Sequence, residues 1–201
     1  IRGHRRLFRD LSFSMHPGDC CELRGPNGSG KTSLLRMLSG LLPPTSGEVL
    51  WHGTPISTQR EEDLSSFAYV GHRCAVKDEL TTLENLRVSS ALSGWELTRE
   101  EARHTLGRMS LGAQERLQAR HLSEGQRRRL SLARLVACRS SLWLLDEVLT
   151  SLDEDAGHAI RALIDDHVSR GGMAVIATHQ DLKMAARVSR RLRRPRARGG
   201  R

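Results

Sequence analysis

Gly25-Pro26-Asn27-Gly28-Ser29-Gly30-Lys31-Thr32 is the stretch on which the fold turns. It fits G-x-x-x-x-G-K-[ST], and its neighbours supply the setting that pattern needs. Upstream, Cys20, Cys21 and Leu23 predict a strand; downstream, Leu34, Leu35 and Leu38 share one face of a helix that starts at Lys31 and stops at Gly40, before Pro43-Pro44. Without Cβ atoms the loop can wrap a phosphate chain and aim backbone N–H groups at it, while the following helix presents its positive end. Lys31 is then placed to neutralise β- and γ-phosphates, and the Thr32 hydroxyl to ligate Mg²⁺. Gly25, Pro26, Asn27, Gly28, Ser29, Gly30, Lys31, Thr32 and Ser33 form the candidate nucleotide-binding set, with ATP and Mg²⁺ as the cofactors.

Working outward, Leu11, Phe13 and Met15 alternate and predict a further strand, separated from the next by the turn His16-Pro17-Gly18-Asp19. The stretch Glu48 to Trp51 reads as a strand reaching a turn at His52-Gly53, and the chain returns to the sheet by Tyr69-Val70. From about Cys74 to Arg120 the pattern is helical, with a capping box at Thr98-x-x-Glu101. A second box, Ser123-x-x-Gln126, opens a helix through Leu130, Ala133 and Val136. Then come the apolar strand Leu142 to Leu145, a helix carrying Ile160, Leu163, Ile164 and Val168 that ends at Gly171-Gly172, and a last strand from Met173 to Ala177. Strands alternating with helices predict a parallel sheet covered on both faces, with a helical lobe inserted into it.

Leu142-Trp143-Leu144-Leu145-Asp146-Glu147 is an apolar strand ending in two carboxylates. Alone, such a pair is two solvated acids. Beside a phosphate loop, Asp146 can hold the Mg²⁺ shell and Glu147 can polarise the attacking water as general base.

Leu122-Ser123-Glu124-Gly125-Gln126 resembles the ABC signature LSGGQ, departing from it by Glu124 for the first Gly. Lying between the phosphate loop and the Asp-Glu strand, it makes the chain similar to ABC ATPases. The resemblance implies an α/β P-loop NTPase (RecA-like) core with an antiparallel β segment and an inserted ABC helical lobe. It implies a single ATPase domain over residues 1–186, with core segments 1–72 and 127–186 and the lobe at about 74–126. Thr150-Ser151-Leu152-Asp153 is similar to the D-loop, bringing in Ser151 and Asp153; His179 in Ala177-Thr178-His179 resembles the switch histidine that senses the γ-phosphate. In this family two subunits bind head to tail, so the resemblance implies a homodimer in which the signature of one copy contacts ATP held by the other.

Three positions depart from the family pattern. Aligning on Leu80-Thr81-Thr82-Leu83-Glu84-Asn85 puts Arg73 where the Q-loop Gln usually stands, within reach of phosphate but repelled by Mg²⁺. Val148 replaces the Pro that usually follows the Asp-Glu pair, and Arg2 falls near the adenine-stacking aromatic. The chain opens on Ile1 rather than Met, so a first strand is expected to be missing or truncated.

The finer resemblance, over Leu7 to about Leu182, is to the ATP-binding subunits of cytochrome c maturation haem exporters. It rests on Gly47-Glu48-Val49-Leu50-Trp51, Gly53-x-Pro55-Ile56, Gly71-His72, Lys77 through Leu86 and Thr178-His179-Gln180. It implies a peripheral protein on the cytoplasmic face of the inner membrane, joined to integral membrane subunits that handle haem. Haem is not expected to bind this chain, because His4, His72, His104 and His121 are scattered without paired spacing. Alternatives are another small ABC exporter, a soluble ABC ATPase, or a monomeric P-loop kinase. The soluble machine would call for a long coiled-coil insertion or a second cassette, and the kinase would have no use for residues 122–126.

Charge does not redirect this reading. Of a net +9, eight positive charges come from Arg187, Arg190, Arg191, Arg193, Arg194, Arg196, Arg198 and Arg201 with no acid among them, which leaves +1 for the body. Residues 187–201 therefore read as a solvated, disordered tail whose functional alternative is attraction to anionic lipid. Nucleic acid is not an expected partner, since one Tyr and three Phe offer no stacking platform beside the basic run. Cys20, Cys21, Cys74 and Cys138 lack C-x-x-C spacing and are expected to be reduced and mostly buried; no apolar run approaches the length of a membrane span.

Overall fold

The computed structural model describes residues 7–8, 10–59, 66–71, 75–138, 140–148, 154–179 and 188–193. Its centre is a five-stranded sheet in the order β4-β5-β6-β1-β7, built from β1 (Cys20–Arg24), β4 (Phe67–Val70), β5 (Leu142–Asp146), β6 (Met173–Thr178) and β7 (Val188–Arg193). Every pairing in it is parallel. Strands β5 and β6 are buried along their whole length, which explains why they read as continuous apolar runs rather than alternating ones. A separate antiparallel pair, β2 (Leu50–Trp51) and β3 (Thr54–Pro55), turns at His52-Gly53 as expected.

Two layers cover the sheet. On one face α1 (Lys31–Leu38) lays Leu34 and Leu35 against Cys21, Leu23, Leu144, Val175 and Ala177. On the other, α4 (Glu124–Ala137) and α5 (Glu154–Ser169) pack Leu132, Leu135, Ile160 and Ile164 against Trp143, Leu145 and Ile176. Each such side chain contributes about 1.5–3 kcal/mol on leaving water. Helices α2 (Thr82–Ala91) and α3 (Arg99–Arg108) form the lobe, and their Leu86, Ala102 and Leu106 belong to the same apolar cluster as Leu130 of α4. The capping boxes expected at Thr98 and Ser123 are both formed, and a third at Thr81 opens α2.

Two expectations are corrected. The alternating segment Leu11–Met15 joins no ladder; Met15 packs against the α1-side core while its backbone stays irregular. The composition of residues 187–201 suggested a solvated tail after a last strand at Met173–Ala177, yet Val188–Arg193 form β7 alongside β1. An edge strand is held by its backbone ladder and tolerates charge, so a count of apolar side chains underrates it. Cys20, Cys21 and Cys138 are buried thiols as expected, with the Cys20 thiol pushed up to about 12, chiefly by burial; Cys74 lies outside the described residues.

Candidate active site

Because the sheet is parallel, the carboxyl ends of β1, β5 and β6 open on the same edge, with Arg24 opposite Thr178 and Asp146 opposite Ala177. Ligands of open α/β sheets sit at that edge. The phosphate loop leaves β1 there and runs into α1, whose N-cap Gly30 has φ of 100°. Glycine suits this left-handed turn: a Cβ on Gly30 would also lie 2.9 Å from Phe8 Cζ, and one on Gly25 would lie 2.6 Å from the Ser29 hydroxyl, which would have to move. Pro26, Asn27 and Gly28 are exposed at the loop's crest, Ser29 and Ser33 are buried beneath it, and Thr32 is half-buried in the first turn of α1.

Lys31 crosses under the loop. Its Nζ donates to Gly25 O at 2.7 Å and Pro26 O at 3.3 Å, and lies 3.1 Å from Glu147 Oε1. The other carboxylate oxygen of Glu147 lies 3.4 Å from His179 Nδ1, so Glu147 stands between the phosphate-loop lysine and the residue that follows β6. Asp146 is buried, and its Oδ2 accepts a hydrogen bond from the Tyr69 hydroxyl at 3.3 Å. Its Oδ1 is buried with no hydrogen-bond partner among the described residues, the condition of a carboxylate oxygen suited to a cation. Burial, and then the Asp146 charge, push the Tyr69 phenol above its usual 10.0, which keeps the donor protonated.

The signature stands apart at the tip of α4. Ser123 caps the helix, accepting from Gln126 N at 3.2 Å, while Gln126 Oε1 accepts from Ser123 N at 2.9 Å. Leu122 is buried; Ser123 and Glu124 are exposed, and Gly125 is half-buried. Among the described residues no hydrogen bond joins this segment to the phosphate loop. Arg73, Ser151 and Asp153 lie outside the described residues.

Sequence reasoning did not single out Tyr69 or Arg128. Tyr69 read as part of a strand, and only the pairing of β4 with β5 sets it beside Asp146. Arg128, one turn beyond Ser123, is buried with its guanidinium on the carbonyls of Gly71, Glu147 and Val148.

Comparisons with known proteins bear on the family and the fold. The family model described as ABC transporter matches residues 8–150. The chain is 48% identical over 192 residues to the cytochrome c biogenesis ATP-binding export protein CcmA of Nitrosospira multiformis, covering 96% of this chain and 93% of that protein. It is 44% identical to the protein of the same name from Pseudomonas aeruginosa, covering 92% and 91%. Among solved structures it superposes on a putative ABC transporter ATP-binding protein of Pyrococcus furiosus with a TM-score of 0.78, at 22% identity and 90% and 86% coverage. A dimeric ATP-binding cassette bound to ADP and Pi gives 0.76, at 24% identity and 87% and 80% coverage; both superpositions bear on the fold alone. The chain belongs to the ABC transporter family, as an ATP-hydrolysing member of its cytochrome c biogenesis branch.

Proposed function

We propose that this chain binds and hydrolyses ATP to energise an exporter of c-type cytochrome biogenesis, with haem handled by integral membrane partners rather than by this chain. The observation that carries the hydrolytic reading is the bridge at Glu147, 3.1 Å from Lys31 Nζ and 3.4 Å from His179 Nδ1. Lys31 meets the β- and γ-phosphates, backbone N–H groups at the start of α1 meet the remaining phosphate oxygens, and Glu147 takes the proton of the attacking water. His179 orients the Glu147 carboxylate and senses the γ-phosphate. Thr32 and Asp146 would hold Mg²⁺, whose charge would offset that of the phosphates; the partnerless Asp146 Oδ1 fits that use.

The family resemblance supports the rest. The exposed Ser123 tip would meet ATP held by a second copy, with Ser151 and Asp153 at the dimer contact and Arg73 at the Q-loop position. Residues 1–186, together with the strand β7 that completes the sheet, would act as one ATPase domain. Among the described residues no helix is long and apolar enough to cross a membrane, so attachment to the cytoplasmic face of an inner membrane would be lent by the partners. The names of the 44–48% identical relatives support export in cytochrome c biogenesis as the task.

The test is Glu147→Gln. ATP binding is expected to stay intact while turnover falls by about 10²-fold or more; turnover at the wild-type rate would remove Glu147 from its role. For the export task, the tagged chain is purified from detergent-solubilised membranes of its host. Recovery with integral membrane proteins of a cytochrome c assembly system is expected, and recovery with subunits of an unrelated exporter would redirect the reading.

A further inference from the structure

Arg128 is a buried cation that the chemistry above does not use. Among the described residues its guanidinium reaches main chain: Nη2 donates to Glu147 O at 3.0 Å, Nε to Val148 O at 3.2 Å and Nη1 to Gly71 O at 3.2 Å. Those carbonyls come from two neighbouring strand ends, since Gly71 follows β4 and Glu147 follows β5. Three directions of hydrogen bonding from one planar group fix an orientation that a single donor could not.

What this holds is unusual. Glu147 has φ of 53°, a left-handed conformation that a residue with a Cβ rarely adopts and keeps only where its surroundings over-determine it. Both sides of the residue are tied: its N–H donates to Ala177 O at 2.9 Å, and its C=O accepts from Arg128. With the backbone so turned, the carboxylate reaches Lys31 on one side and His179 on the other.

We propose that Arg128 is a positioning residue for ATP hydrolysis, holding the Glu147 main chain in the left-handed turn that aims its carboxylate at the reacting water. This rests on the reading of Glu147 as general base. Lysine would be a poor substitute, because a point charge on a flexible stem cannot serve three carbonyls from fixed directions. Glutamine keeps a polar head with only two N–H donors.

The test uses the full chain as Arg128→Gln, Arg128→Lys, Glu147→Gln and the double variant Arg128→Gln/Glu147→Gln, with kcat, KM for ATP and equilibrium ATP binding measured for each. In Arg128→Gln, kcat is expected to fall on the order of 10- to 100-fold, the loss that a displacement of about 1 Å at a reacting group can produce. ATP affinity should stay within about two-fold, which separates loss of transition-state stabilisation from loss of binding. Arg128→Lys should remain well below wild type, and it carries the same measurement if the Gln variant fails to fold. Because Arg128 acts through Glu147, the double variant should be no slower than Glu147→Gln alone. A wild-type kcat in the Arg128 variants, or the same fractional loss in both Glu147 backgrounds, would overturn the proposal and leave Arg128 as packing between α4 and the sheet. Wild-type turnover in Glu147→Gln itself would instead show that the reading of Glu147 had failed.

Discussion

At the scale of single residues, the site depends on where Lys31 and Glu147 meet. Lys31 is almost entirely buried, and three oxygens surround its ammonium, two of them carbonyls of its own loop. It is thus oriented before any phosphate arrives, which lowers the ordering cost of binding. A hydrogen bond to a charged group is worth about 1.5–3 kcal/mol, so Lys31→Met is expected to weaken ATP binding roughly 10- to 100-fold in equilibrium titration. An affinity equal to wild type would show that the loop amides alone hold the phosphates. Lys31, Asp146 and Glu147 stood out in the sequence as candidates because residue type and local spacing single them out, and the structure brings Lys31 and Glu147 together. Tyr69 and Arg128 did not stand out, because a tyrosine in a strand and an arginine in a basic helix acquire their roles from partners 77 positions away for Tyr69 and 19, 20 and 57 positions away for Arg128.

At the scale of elements, the start of α4 joins stability to the signature. The Ser123 hydroxyl and the Gln126 amide cap each other's backbone N–H groups, so the side chains that define the motif also begin the helix. Losing such a cap costs about 1 kcal/mol. Ser123→Ala is therefore expected to lower Tm by about 2–4 °C for a chain of this size, read by thermal unfolding; an unchanged Tm would mean that the helix start is held by its tertiary contacts alone. Capping boxes are legible because both partners lie three residues apart, and Thr98 and Ser123 were found that way. The box at Thr81-x-x-Glu84 carries the same signal but sat inside a stretch read only as helical from about Cys74, whereas α2 begins at Thr82. Strands behaved differently. Alternation at Leu11, Phe13 and Met15 describes side chains that face inward and outward, but a ladder needs a partner backbone, and none of the described residues pairs with it. The converse holds for Val188–Arg193, where a charged composition concealed a backbone that pairs with β1.

At the scale of the whole molecule, the packing of α5 on the sheet contains a proton-sensitive contact. The ring of His167 stacks on Trp143 at 3.8 Å between centroids and 4° between planes, and its Nε2 lies 3.2 Å from Met173 O. Burial holds its pKa below the usual 6.5, more than the backbone hydrogen bonds and Asp166 raise it, so the ring is neutral when folded. As pH falls through 6.5 the unfolded chain takes up the proton first. The stability contributed by the neutral ring is complete above that pH and is lost as pH drops toward the folded-state pKa. The urea midpoint is thus expected to decline as pH falls below 6.5, and His167→Gln should flatten that decline; an equal slope in the variant would place the proton elsewhere. The phosphate loop, the acid pair, the family and most element types were legible in the sequence, since each is written in neighbours a few residues apart, while Leu11–Met15 and Val188–Arg193 were not. Only the tertiary structure decided which strand lies beside which, that Glu147 bridges Lys31 and His179, and that Arg128 holds Glu147 from behind. Those contacts join segments distant along the chain, and strand order, which no local pattern encodes, brings them together.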